Sequence, residues 1–237
     1  MRRLTGRLLP MRSLVFGLAL AAGAALTVTP GIATAAAQAG GGTAVGGATG
    51  AQPSQIVENV AQRFLKDVDA NRSQYSKDPK ALRAAVNRDV LPYFDVQFSA
   101  RLVLGRYWRT ATPQQRQRFI DAFENSMFDN YGSALLGFRT NRLHVVPTTV
   151  NPNATNALVR TQIHRDDGSS VDVNFALHKT ASGWKAWDVV IEGISYVKSF
   201  RDDFGAQIQA QGVDSVIQRL ERGEKPAQLP NPGARKS

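Results

Sequence analysis

Apolar positions recur at helical spacing in the first half of this chain and at strand spacing in the second. Pro53 opens a segment with Ile56, Val60, Phe64 and Val68 four residues apart, the period that lines one face of a helix. Asp78-Pro79 has the form of a cap and first turn, starting a second helix with Leu82, Val86 and Val90 that Pro92 ends. Val96 to Leu104 predicts a third. Thr112-Pro113-Gln114-Gln115 then reads as an N-cap, Pro at the first helical position and Gln at N3, closing a capping box. The helix it opens is the fourth and longest. It carries Phe119, Phe123, Met127 and Tyr131 at strict four-residue spacing and stops near Gly137.

Beyond Gly137 the period changes to two. Leu143 to Val150, Ala157 to His164, Val171 to Lys179 and Trp184 to Ile191 predict four strands. The loop Asp166-Asp167-Gly168 admits two registers. A two-residue turn pairs 166 with 169, whereas a three-residue loop with Gly168 left-handed pairs 165 with 169. Only the second puts Ile163, Thr161 and Val159 on one face with Val171, Val173 and Phe175, so it is the expected register. Trp187, Val189 and Ile191 extend that face on the next strand. The chain then returns to helix, broken at Gly212 and capped again at Asp214, with Val216, Ile217 and Leu220 as the last apolar face. Helices, a curved antiparallel sheet and a closing helix predict an α+β fold in which the sheet curls around a long helix.

Two stretches carry a specific likeness. LGRYWRTATPQQRQRF, Leu104 to Phe119, precedes WKAWDVVIEGISYVKSFRDDF, Trp184 to Phe204, with Leu91-Pro92-Tyr93-Phe94 and Gly212-Val213-Asp214 in matching places. Together they resemble the periplasmic phospholipid-binding proteins of the Mla lipid-transport pathway, the toluene-tolerance auxiliary family, from about Ile56 to about Leu220. The resemblance implies an NTF2-like cone with added N- and C-terminal helices, enclosing an apolar cavity. It implies phospholipid as cargo with no cofactor. It also implies two partners, an outer-membrane lipoprotein–porin complex and an inner-membrane ABC transporter bearing an MCE-domain ring. The chain is expected to act as a monomer. Acyl-chain contacts are expected from Phe98, Leu102, Phe123, Met127, Tyr131, Leu135, Val173, Phe175, Val189, Ile191 and Ile194. Arg106, Arg109 and Arg139, beside Tyr107 and Trp108, read either as a basic surface whose stems cover apolar area or as a pocket rim that holds a phosphate in water while hydrocarbon lies inside.

Residues 1–35 read as a cleavable secretory signal. Arg2, Arg3, Arg7 and Arg12 precede an uncharged Leu/Ala-rich core, Ser13 to Val28, and the small-x-small site Ala33-Thr34-Ala35. Residues 36–52 are a Gly/Ala-rich leader, 53–222 a single lipid-binding domain and 223–237 a Pro-rich tail. The chain holds 29 Lys and Arg against 19 Asp and Glu; without the four signal arginines the balance is +6, of which the tail carries +2. So small an excess, with its charges scattered, suits some attraction to anionic membranes and argues against a nucleic-acid groove. Cysteine is absent, which removes a lipoprotein anchor, disulfides and zinc–thiolate sites, and points to an exported periplasmic protein.

Catalytic patterns are thin. His144, His164 and His178 lack metal-ligand spacing near a carboxylate and read as solvated surface residues. Asp188 is the one candidate for proton-transfer chemistry of the ketosteroid-isomerase type, yet its even position puts it on the outer face of the sheet. The chain is therefore expected not to be an enzyme. The remaining alternative is a ligand-free module binding a periplasmic partner through Tyr107, Trp108 and the nearby arginines.

Overall fold

The structure is a computed structural model and describes residues 51–165 and 168–225; the signal segment, most of the leader and most of the tail lie outside them. Helix α1 spans Pro53–Lys77, longer than its apolar face suggests, with a kink at Asn71 (φ −117°, ψ 15°). At the kink Asn71 Nδ2 donates to the Asp67 carbonyl and carboxylate. The Asp78 side chain accepts from the Lys80 and Ala81 N–H groups and starts α2, Pro79–Asp89, as its spacing predicts. Helix α3 is Val96–Leu104, and α4 is the single turn Tyr107–Thr110. Helix α5, Pro113–Tyr131, opens with the expected capping box between Thr112 and Gln115. It ends six residues before Gly137, and Gly132–Gly137 continues as a tighter 3₁₀ segment.

Six strands form one sheet: β1 Leu143–Val145, β2 Asn156–Val159, β3 Thr161–His164, β4 Ser170–Thr180, β5 Gly183–Ile191 and β6 Ile194–Ser195. The run expected as one strand from Ala157 to His164 is interrupted at Arg160, yet both pieces pair with β4 in one register. Ile163 lies opposite Val171 and Val159 opposite Phe175, and Arg165 N–H donates to the Ser169 carbonyl at 2.8 Å with Gly168 at φ 80°. The three-residue loop is thus the one adopted. The Thr161 hydroxyl donates to the Val173 carbonyl, which satisfies this polar group on the buried face.

One strand departs from strict alternation. Eight residues of β4, Val173 to Thr180, pair with nine of β5, because Ala176 faces Asp188 while Leu177 faces Ala186. Trp187 is the extra residue of a β-bulge and does not continue the face of Val189 and Ile191. Helices α6, Tyr196–Gln211, and α7, Val213–Glu221, follow and are separated at Gly212. Asp214 is not the cap of α7: it sits in the first turn, where its carboxylate accepts from Gln115 Nε2 at 2.8 Å.

Three filled apolar clusters hold this α+β arrangement together. The first lies among α3, α5, α6 and α7 and centres on Phe119, Phe123, Phe200 and Phe204. The second packs Ile56 and Val57 of α1 on Val159, Leu177, Trp184 and Ala186 of the sheet. The third joins α1 to α2 through Phe64, Val68, Tyr75 and Leu82.

Candidate functional site

Between these clusters, apolar side chains on the sheet are left only half-buried. Phe175 faces Val189, Val173 faces Ile191, and Ile191 faces Ile194 across the β5–β6 hairpin. All five are intermediate in exposure, whereas the filled clusters are at most 9% exposed. Alternation puts Val171, Val173, Phe175 and Leu177 on one face of β4, and none of them carries a charge. The polar residues Asp172, Asn174 and His178 turn the other way.

Helix α5 divides along its length. Phe119 and Phe123 in its first half are 0% and 6% exposed; the Phe123 ring meets those of Phe119, Phe200 and Phe204 at centroid distances of 5.7, 5.4 and 6.4 Å. Phe123, expected to contact acyl chains, is thus buried among the phenylalanines of the helical core. Met127 and Tyr131, one and two turns further, are half-buried at the edge of that core. Tyr131 lies close to Tyr196, the first residue of α6. Burial pushes both phenols above their ordinary value, and the neighbouring Tyr196 adds to the shift of Tyr131. Tyr196 follows Ile194, the end of the sheet ladder, by two residues in the chain. Leu135, in the 3₁₀ segment, is half-buried against the α1–α2 cluster.

Two groups of expected site residues lie elsewhere. Phe98 packs on the His178 ring at 4.4 Å and edge-on to Trp187 at 5.8 Å. His178 alternates with Leu177, so Phe98 is on the face of the sheet opposite Phe175, with half-buried Leu102 one turn beyond it on α3. Of the expected rim, Arg106, Tyr107, Trp108 and Arg109 lie together, away from the sheet ladder, and Arg139 lies apart from them. Tyr107 donates to the Gly205 carbonyl and Arg106 to Gln209, nine and thirteen residues along α6 from Tyr196, or about 14 to 20 Å by helical rise. Arg106 and Arg116 lie over the Tyr107 and Trp108 rings, Arg109 is exposed on the same turn, and Arg139 is far along the chain beside Asp69 of α1. The spacing of the motif placed these residues together in sequence but could not say which end of the helical core they would occupy.

The titratable groups near the sheet have structural partners. Asp188 is 3% exposed; it accepts from the Ser195 hydroxyl and from the Val197 N–H at 2.9 Å, capping α6. His178 is not a solvated surface residue: its Nε2 is 3.0 Å from Asp95 Oδ2. Among the described residues no group of three or more His, Cys, Asp or Glu is placed to hold a metal ion. A cavity of about 580 Å³ opens between α5 and α7, but it is lined by Arg118, Asp121, Asn125, Asp129, Glu221 and Arg222 and suits no hydrocarbon. Tyr196 lies within the second of the two motif stretches but was not among the expected site residues.

The fold and this site define an α+β domain with a charge-free, half-buried apolar face on its antiparallel sheet. Residues 58–222 match the family described as MlaC protein, and the chain belongs to that family. It is 32% identical over 163 residues to toluene tolerance protein ttg2D of Pseudomonas putida, covering 68% of this chain and 75% of that protein. It is 25% identical over 173 residues to the intermembrane phospholipid transport system binding protein MlaC of Haemophilus influenzae, covering 72% and 81%. A phospholipid-binding protein of Ralstonia solanacearum, solved in complex with a phospholipid, shares the fold with a TM-score of 0.68 at 23% identity, covering 73% of this chain and 97% of that one.

Proposed function

We propose that this protein is a soluble periplasmic phospholipid carrier, exported by its signal segment, that moves lipid between the membranes without chemical change. Val173, Phe175, Val189, Ile191 and Ile194 from the sheet, with Met127, Tyr131 and Leu135 from the helical side, contact the acyl chains. The observation that carries this reading is the half-buried, charge-free ladder on β4–β6, in a chain whose relatives are named for phospholipid binding and transport.

A diacyl lipid taken through water exposes roughly 28 methylenes at about 0.8 kcal/mol each, or about 22 kcal/mol, more than the practical limit of non-covalent binding at about 18–21 kcal/mol. A carrier therefore works by exchange, with a cavity that resembles the bilayer it empties. That requires apolar lining and few polar contacts, which is the chemistry of this face. The exchange partners are an inner-membrane MCE-domain ABC transporter and an outer-membrane lipoprotein–porin complex. Asp188 supports no proton-transfer reading, because both of its oxygens are engaged in capping α6.

Native mass spectrometry and solvent extraction of the purified protein test the proposal. Phospholipid at up to one molecule per chain is the expected result, and repeated preparations without co-purifying lipid would overturn it.

A further inference from the structure

Between Asp95 and Asp121 the chain has no acidic residue and five arginines, Arg101, Arg106, Arg109, Arg116 and Arg118. The fold gathers four of these with two cations of α6. Helix α3 and the α4 turn run alongside α6 in the same direction: an added Cβ at Gly105 would lie 3.4 Å from the Arg201 side chain, Tyr107 donates to the Gly205 carbonyl, and Arg106 donates to Gln209 at 3.2 Å. Gly105 has φ 53°, a conformation that favours glycine, and the Arg201 side chain lies over its backbone. The resulting surface carries Arg101, Arg106, Arg109, Arg116, Lys198 and Arg201. Arg118 turns away to Glu221 and Asp214 of α7. Asp202, 3.8 Å from Arg201, is the acid at its border that pairs with it.

Three of the guanidinium groups are held on rings rather than on acidic partners. Arg101 lies 5.0 Å over Phe98, Arg106 4.8 Å over Tyr107 and Arg116 5.2 Å over Trp108. Arg116 also donates to the Trp108 carbonyl at 2.8 Å. Stacking fixes the planar forks while leaving N–H donors to the outside, the geometry that phosphodiesters accept. The patch has no exposed apolar anchor. Among the described residues the exposed large hydrophobic side chain is Leu158, on β2. A tight protein interface is built on buried aromatic or aliphatic anchors. Charge without anchors gives a reversible, salt-sensitive association at headgroup depth.

From this charge complementarity we infer that the α3–α4–α6 surface docks the protein on anionic phospholipid bilayers. The contact is made to headgroup phosphates and is separate from the apolar face on the sheet. It holds whether or not lipid is bound as cargo, so it goes beyond the carrier reading and does not depend on it.

Co-sedimentation with vesicles tests it. The purified protein is mixed with vesicles of phosphatidylcholine alone or with about 30% phosphatidylglycerol, at about 50 and 300 mM NaCl, where screening differs strongly. Pelleting is expected only with phosphatidylglycerol and only at the lower salt. Each arginine near an anionic surface contributes about fivefold in affinity, so Arg101→Gln/Arg106→Gln/Arg109→Gln should weaken binding roughly a hundredfold. The equal-charge control Lys66→Gln/Lys77→Gln/Lys80→Gln, on exposed positions of α1 and α2 with their join, should bind as the parent does. Circular dichroism checks that both variants fold. Equal loss in the two variants, wild-type binding by the arginine variant, or no binding of the parent to anionic vesicles would each overturn the inference, the last leaving an acidic protein as the occupant. Cargo extracted from the unpelleted protein is measured separately, so a failure here is distinct from failure of the carrier reading.

Discussion

Phe123 and Tyr131 stand two turns apart on one stripe of α5, and the structure gives them opposite fates under the same substitution. The Phe123 ring is 6% exposed inside a cluster of phenylalanines. Removing such a ring costs about 3–5 kcal/mol, and a carboxylate left in its place adds several more because no cation faces it. The sum is comparable to the whole stability of a domain, about 5–15 kcal/mol, so Phe123→Asp should not fold. Tyr131 is half-buried. Half of a tyrosine's burial is about 100 Å², which at about 25 cal/mol per Å² is about 2.5 kcal/mol, and an aspartate at an open edge stays hydrated. Tyr131→Asp should therefore remain folded, with a lowered melting point, while losing bound phospholipid. Circular dichroism melts and size exclusion report the fold, and extraction with mass spectrometry reports lipid per chain. Wild-type lipid content in Tyr131→Asp would remove Tyr131 from the site. Unfolding of both variants would show that the end of the stripe is filled core as well.

Three further outcomes are expected. Asp188→Ala leaves the Val197 N–H and the half-buried Ser195 hydroxyl without their acceptor, costing about 2–4 kcal/mol and about 6–12 °C in melting temperature, whereas Asp188→Asn should keep lipid content unchanged; loss of lipid in a folded Asn variant would contradict a purely capping role. Gly105→Ala forces a side chain into a positive-φ conformation and should lower the melting temperature; a value unchanged from wild type would mean that this backbone conformation imposes no strain. The Tyr75 hydroxyl, then Arg88 and Asn71, hold the Asp67 carboxyl below its ordinary 3.8, and the Thr140 N–H does the same for Asp69. Depressed folded values mean that this stabilisation is complete above about pH 5 and is lost as pH falls further, so the melting temperature should drop less steeply between about pH 5 and 3 in Tyr75→Phe than in wild type; equal slopes would exclude Asp67 as a source of the acid sensitivity.

Much of the architecture was legible because local signals agreed with one another. Asp78-Pro79 and Thr112-Pro113 each named a helix start that the backbone adopts, and the need for one continuous apolar face chose between two hairpin registers. The candidate site was legible only where a face had a single covering partner. The β4 ladder kept its face, as Val173, Phe175, Val189 and Ile191 do. Phe123 did not, because a four-residue stripe names a helix face but not what covers it, and α6 brings Phe200 and Phe204 onto the first half of α5 from about eighty residues downstream. Phe98 and the arginine cluster were misplaced for the same reason: their positions depend on which side of the sheet α3 takes, and that is set by long-range contacts such as Ser99 Oγ to the Trp187 carbonyl at 2.6 Å. The interruption at Arg160 and the kink at Asn71 had no pattern to announce them.

The unpaired residue at Trp187 has a consequence for comparing this chain with its relatives. Counting outward by twos from Ile191 assigns Val189 and Trp187 to the interior, then Lys185, although Ala186 and Trp184 are the residues packed beneath α1. A homologue one residue shorter at this point would keep both halves of the strand facing as they do here and lose only the free carbonyl that stitches α3 to the sheet. An alignment gap opened a few positions to either side would transpose inside and outside for every intervening residue. Any transfer of lipid-contact assignments between relatives therefore depends on where that single column is placed.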